Sequence, residues 1–185
     1  MLNSQRLILR AVEPSDVDMM YEVENDEWAW RYSDTIAPLS RNMLKEYAIS
    51  YDANPFNSGQ LRLIAIEKDS GNAVGIVDLY EISQRHSRAF IGIYIFKKYR
   101  NKGLAEETIR LIEKFARESM HLHQLAAKVE NNHIKSENLF SKCGYEMKGC
   151  LNDWLSLPDG KFTSMKIYTK KLSDYEIKTR VGCKT

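Results

Sequence analysis

The chain opens on an alternation. Leu7 and Leu9 sit between Arg6, Ile8 and Arg10, the period of two that predicts a strand near residues 6–12. The period then lengthens. After Pro14, with Ser15 as the expected N-cap, Val17, Met20, Tyr21 and Glu24 recur at helical spacing, and Asp16 and Asp18 suit the positive end of a helix dipole. Trp28 to Pro38 follows no period and reads as a loop. A second helix is predicted behind a Ser40 cap, with Leu44, Tyr47, Ala48 and Tyr51 on one face. Asn54, Pro55, Asn57, Ser58 and Gly59 end it. Strands are predicted at Gln60–Ile66, Ala73–Tyr80 and Ser87–Phe96, the first two joined by a Lys68–Asn72 turn. An amphipathic helix from about Leu104 to Ser119 is expected to bury Ala105, Ile109, Ile112 and Ala116. A strand at Gln124–Glu130 follows, then a short helix from a Ser136 cap to Lys142, closed by Gly144. Two strands near Tyr145–Leu151 and Thr163–Leu172 complete the pattern. Helices interspersed with an antiparallel run predict a mixed α/β (α+β) domain with a mostly antiparallel central sheet, not a doubly wound one.

Length and composition narrow the class. A chain of 185 residues suits one domain, taken here as residues 1–172, with 173–185 a charged tail. A hydrophobic share of 43% beside 28% charged residues supports a folded core. The formal charge of +2 gives no reason to expect nucleic acid as partner. Cys143, Cys150 and Cys183 are odd in number and lack CxxC spacing, which favours free thiols in a reducing compartment. Residues 1–10 do not read as a secretory leader, and the longest apolar run, Ala89 to Phe96, is eight residues, too short to span a membrane. A cytoplasmic protein without membrane partner is the expectation. His86, His121, His123 and His133 share no metal-ligand spacing, so no metal is expected.

The stretch that carries chemistry runs from Ile93 through Lys97, Lys98, Tyr99, Arg100, Asn101, Lys102 and Gly103 into the helix at Leu104 and Ala105. A strand ends, a basic turn follows, and small residues stand where the helix begins. The first amides of a helix lack intrahelical partners and point outward, so this turn can hold an anion. Walker and dinucleotide glycine spacings are absent. What the pattern suggests is a pyrophosphate cradle.

Arg100-x-x-Gly103-x-Ala105 after an apolar strand resembles the acetyl-CoA motif of the GNAT superfamily of N-acetyltransferases. Two further stretches extend the likeness. Gln5–Arg10 followed by Glu13–Asp16 is similar to the opening of the subgroup of ribosomal-protein and spermidine acetyltransferases. Ser136, Leu139, Phe140, Lys142, Gly144 and Tyr145 match that family's short helix, and Gly149 fits after it. The resemblance implies a cytosolic enzyme that moves an acetyl group from acetyl-CoA, its cosubstrate, onto an amine. It implies that the pantetheine arm bonds to the backbone at Ile93 and Ile95, and that the pyrophosphate lies on Arg100, Asn101, Lys102, Gly103, Leu104 and Ala105. Asn132 is a further cofactor candidate, because the family's usual asparagine position is His133 here. Phe140 stands where many members carry a tyrosine that protonates the CoA thiolate, and is expected to pack, against the pantetheine arm among other partners.

The base that must take the amine's proton is unmarked. The family often places a glutamate on the strand leading into the turn, where this chain reads Ala89-Phe90-Ile91-Gly92. Asp78 is the first candidate and Glu130 the second. For the acceptor, Glu13 to Asp34 holds eight acidic residues and one basic residue, and Glu24, Asp26, Glu27, Trp28 and Asp34 form an acidic, aromatic group suited to a polyamine such as spermidine. Asp153 and Trp154 are a further candidate wall. A protein N-terminus or another small amine is the alternative acceptor, and a non-catalytic acyl-CoA-binding module the alternative of another class. A homo-oligomer is left open.

Overall fold

The computed structural model describes residues 2–30, 35–52, 54–157 and 159–172, the side chains of Trp28 and Ala29 excepted. Asp34, the Trp28 side chain and the tail 173–185 lie outside the described residues. The strands are β1 (Leu7–Ala11), β2 (Leu61–Glu67), β3 (Ala73–Ser83), β4 (Arg88–Ile95), β5 (Gln124–Glu130), β6 (Glu146–Ser156) and β7 (Phe162–Lys171). The helices are α1 (Val17–Glu24), α2 (Glu27–Trp30), α3 (Arg41–Ile49), α4 (Pro55–Ser58), α5 (Leu104–Glu118) and α6 (Ile134–Lys142). All seven strands form one sheet in the order β1-β2-β3-β4-β5-β7-β6, antiparallel throughout except for β4 and β5. That parallel pair follows from the α5 crossover, since parallel neighbours need a long connection. The predicted mixed, mostly antiparallel class is therefore correct.

One face of the sheet buries odd-numbered side chains of β2 to β5, among them Leu63, Val77, Leu79, Ile91 and Leu125, against α5 and α6. Ile109, Ile112 and Ala116 of α5 are fully buried, and each isoleucine contributes roughly 1.5–3 kcal/mol of transfer free energy. On the other face Met20, Leu44 and Ala48 of α1 and α3 cover Ile64 and Ile76. That cover reaches only the β1–β3 end of the sheet. Arg62, Asp78, Tyr80 and Gly92 lie beyond it, where a cavity opens.

Two caps differ from expectation. Ser40 does accept from the Met43 amide at 3.1 Å. Ser15, however, lies inside a 3-10 turn, Pro14–Asp16. There Asp16 accepts from the Glu13 amide and from both terminal nitrogens of Arg10, and Ser15 is left exposed. The last helix begins before Ser136, with His133 as its N-cap residue. Trp28 belongs to the short helix α2 instead of a loop. No helix among the described residues is long and apolar enough to cross a membrane.

Gly75 fixes the position of β4. It pairs with Ile95, and a Cβ at this point would collide with the Tyr94 carbonyl oxygen and come within 2.8 Å of Ile95 Cδ1. Gly75→Ala is expected to destabilise the fold by roughly 1–3 kcal/mol through overpacking. Equilibrium urea unfolding measures it, and a variant as stable as wild type would show that β4 can move.

Candidate active site

β4 and β5 part company. They pair only at Arg88 with Gln124, Ala89 with Leu125 and Phe90 with Ala126, although β4 runs on to Ile95 and β5 to Glu130. Phe96 donates its amide to Val74 in β3. By the alternation of a strand, Ile93 and Ile95 therefore turn their amides and carbonyls toward the gap. The Ile95 carbonyl accepts from Arg100 Nε at 2.8 Å, so its N–H is the group left facing outward. An extended amide-bearing chain entering this gap finds backbone partners that β5 no longer supplies.

The gap ends at the basic turn. Asn101 and Gly103 both have positive φ, 61° and 76°, and α5 starts at the next residue, Leu104. The Glu107 amide is the first to bond back, to the Gly103 carbonyl, so the amides ahead of it point out of the helix end. Arg6 braces the turn by donating to the Lys102 carbonyl at 3.0 Å, and Glu107 anchors Arg6 in turn. The Arg100 guanidinium lies 5.4 Å from the Tyr94 ring centre. Lys98 and Lys102 flank the Tyr99 ring. The turn fits a pyrophosphate and the gap a pantetheine arm.

On the open face of the sheet beside the gap lies a cavity of about 410 Å³. Its charged wall centres on Arg62, which sequence reasoning missed. Arg62 donates to both oxygens of Asp78, at 2.7 and 3.0 Å, and to Glu24 of α1. Burial opposes its charge, but Asp78 and Glu24 outweigh burial and hold its pKa above the ordinary arginine value. Burial also pushes the neighbouring Tyr47 hydroxyl up to about 12. Lys128, 4.6 Å from the Phe90 ring centre and bonded to Glu81, lines the same cavity, as does Glu130 at the end of β5. Glu130 is only 7% exposed. Both catalytic candidates thus face one cavity, but the Asp78 oxygens are committed to Arg62.

The acidic segment divides. Glu24 reaches the cavity, whereas Asp26 accepts from the Tyr94 hydroxyl at 3.0 Å and lines a second groove with Glu22, Lys97 and Lys98. Burial and Asp26 together raise the Tyr94 pKa. Glu27 is exposed, and Trp154 is an exposed side chain of β6 outside the cavity lining.

The far wall is α6. His133, Ser136 and Phe140 line the cavity, while Asn132 stands exposed in a left-handed turn with φ 69°. Ser136 Oγ lies 2.9 Å from His133 Nδ1. Phe140 is buried and meets the Tyr145 ring edge-on at 5.2 Å. Cys143 behind it is buried, and burial pushes its thiol up to about 11, which suits packing and not nucleophilic attack.

A mixed sheet split at a parallel pair, with a basic turn and a helix N-terminus at one end and a carboxylate-lined cavity beside it, is the arrangement expected of a transferase that uses an acyl-CoA. Over residues 6–146 the sequence matches the acetyltransferase (GNAT) domain, and the chain belongs to that family. It is 26% identical over 141 residues to the spermidine N(1)-acetyltransferase of Escherichia coli (strain K12), covering 76% of this chain and 73% of that one. It is 25% identical over 167 residues to the putative ribosomal N-acetyltransferase YdaF of Bacillus subtilis (strain 168), covering 82% and 84%. Spermidine N-acetyltransferase from Vibrio cholerae, crystallised with CoA and spermine, superposes with a TM-score of 0.82 at 23% identity, covering 93% of this chain and 99% of that one. A dodecameric structure of the Vibrio cholerae enzyme also matches, with a TM-score of 0.77. The chain is an acetyl-CoA-dependent N-acetyltransferase, as the sequence motifs imply.

Proposed function

We propose that the acceptor is a primary amine bound as its ammonium form, with a polyamine such as spermidine the favoured substrate. The observation that carries this reading is the set of carboxylates around the cavity: Glu24, Asp78 and Glu130 outnumber Arg62 and Lys128. A cation is attracted there, and Tyr80 and Trp30 supply aromatic surface beside it. The similarity to spermidine acetyltransferases supports the same choice. Within this proposal Glu130 takes the amine's proton. Asp78, held by Arg62, sets the charge of the wall and the position of α1 through Glu24. Ile93, Ile95 and residues 100–105 hold acetyl-CoA, which supplies an activated acetyl group as its thioester.

A protein N-terminus is the second reading, favoured by the similarity to a putative ribosomal acetyltransferase. Cytoplasmic placement and assembly into a homo-oligomer complete the proposal, the latter resting on the dodecamer of the Vibrio cholerae enzyme.

A thiol-release assay across spermidine, aminoglycosides and N-terminal peptides tests the acceptor, with the exposed Cys150 subtracted as background. Spermidine is expected to turn over fastest. Its KM should rise steeply between 0.1 and 1 M salt, as the Debye length falls from about 10 Å to about 3 Å, while kcat changes little. A peptide acetylated faster than spermidine, or a spermidine KM indifferent to salt, would overturn the polyamine reading.

A further inference from the structure

Beside Glu130, in the same cavity, a cation is already seated. Lys128 lies two residues before Glu130 on β5, so both side chains leave the same face of the sheet, roughly 7 Å apart along the strand. Its ammonium stands 4.6 Å from the Phe90 ring centre and 5.5 Å from that of Tyr80. Those two residues pair across β3 and β4, and their rings stack with centres 5.7 Å apart. Lys128 also donates to Glu81 at 2.6 Å. Aromatic faces with a carboxylate beside them are what binds an alkylammonium, and here the alkylammonium belongs to the chain itself.

The backbone bends to make this seat. Glu81 follows Tyr80 in β3, and by strand alternation it would face the opposite side of the sheet. The register with β4 shifts between Tyr80 and Ser83, and Glu81 takes a left-handed backbone with φ 49°. Bulges of this kind re-aim side chains, and a residue other than glycine adopts that φ against its preference. The Glu81 carboxylate thereby comes round to Lys128. The pair is a weak lock. Lys128 is 30% and Glu81 55% exposed, and ion pairs so exposed contribute little, so an incoming ammonium can compete. Gly92 opens the way between seat and base. It follows Phe90 on the same face of β4 and lines the cavity without a side chain. A Cβ there would make only ordinary contacts, with Tyr80 at 3.6 Å and Asp78 at 4.0 Å, so the glycine leaves room in the cavity and relieves no clash.

We infer that Tyr80, Phe90 and Glu81 form a subsite for a second ammonium group of the acceptor, and that Lys128 occupies it in the free enzyme. Lys128 is a specificity-determining residue. It leaves the Glu130 end open to one ammonium and makes a diamine or polyamine compete for the other seat. A monoamine never meets that competition. Lys128 therefore sets the margin by which a polyamine is preferred over a short amine. This role rests on the acceptor reading of the cavity and not on spermidine being the best acceptor.

Hexamethylenediamine and n-hexylamine share a carbon chain and differ in the second ammonium, so comparing them isolates the seat. In Lys128→Ala the KM of the diamine is expected to fall about tenfold, equivalent to about 1.4 kcal/mol, while that of the monoamine stays within about threefold. kcat should change little for either. Where wild type turns over neither amine, their inhibition constants against its fastest acceptor carry the same comparison. Adding Glu81→Gln to Lys128→Ala should cancel most of the gain, because the vacated seat loses its carboxylate. Lys128→Met keeps the stem and its packing without the charge. It should show the same selectivity at smaller size, and it carries the test if the alanine variant does not fold. An equal drop in KM for both amines would make Lys128 part of the general field of the cavity and overturn the proposal. So would a raised KM for the diamine, or a gain that survives Glu81→Gln. If neither KM moves, Glu130→Gln separates the causes. A deficit in Glu130→Gln beside an unmoved Lys128→Ala overturns the subsite alone, whereas amine kinetics indifferent to both overturn the acceptor cavity as well.

Discussion

Gly103→Asp is expected to abolish acetyl-CoA binding while leaving the sheet folded. Gly103 has φ 76° and ψ 1°, a left-handed conformation that aspartate and asparagine tolerate better than other side chains. A Cβ there would meet Arg6 Nη2 at 3.5 Å, an ordinary contact, so the substitution fits sterically. What changes is the charge. In the proposed reading the turn holds the pyrophosphate because the first amides of α5 and its dipole point at one place, and a carboxylate fixed there would repel that anion. The dissociation constant should rise at least about 100-fold, equivalent to about 2.7 kcal/mol. Gly103→Asn keeps the shape and backbone strain without the charge, and should lose far less. Calorimetry on both variants, with circular dichroism to confirm folding, separates charge from strain. Undiminished affinity in a folded Gly103→Asp protein would move the cofactor site elsewhere.

That turn was legible in the sequence because its signal is local: a strand, four basic residues, a glycine and a helix within a dozen positions. The same holds for the Ser40 cap and for Gln124–Glu130, whose observed bounds match those predicted. Features that depend on distant partners were not legible. The apolar pattern of Ala89–Phe96 runs unbroken through the point where β4 leaves β5, so the gap proposed to take the cofactor has no mark of its own. Arg62 looks like an ordinary strand residue, since its partners lie 16 and 38 positions away. The acidic run looks uniform along the chain, yet Glu24, the last residue of α1, and Asp26, just past its end, point in different directions, one to Arg62 and the other to Tyr94. Ser136 read as a cap because a serine before an apolar run usually is one. Its bond to His133 follows from where the helix starts, one turn earlier than its composition suggested.

Glu130→Gln should give the largest loss of turnover. Glu130 is almost fully buried at the end of β5, on the sheet face that carries the cavity, and Asp78 across from it has both oxygens engaged by Arg62. An alkylammonium with a pKa near that of lysine, about 10.4, exists at pH 7 almost wholly in the unreactive form. A general base in reach contributes typically about 10²- to 10⁴-fold, and replacing the carboxylate by its amide removes that contribution while keeping size and hydrogen bonding. kcat/KM for the amine is therefore expected to fall at least about 100-fold at pH 7, with the acetyl-CoA dissociation constant unchanged. The deficit has a direction with pH. As pH rises toward the amine's own pKa, more of it arrives already deprotonated, so the ratio of wild type to variant should shrink steadily. Asp78→Asn should behave differently: it leaves Arg62 with Glu24 alone, lowers stability and raises KM, and its deficit should not close at high pH. If Glu130→Gln keeps its activity, or loses it by a factor that is the same at every pH, Glu130 is not the base and the amine's proton leaves by another route.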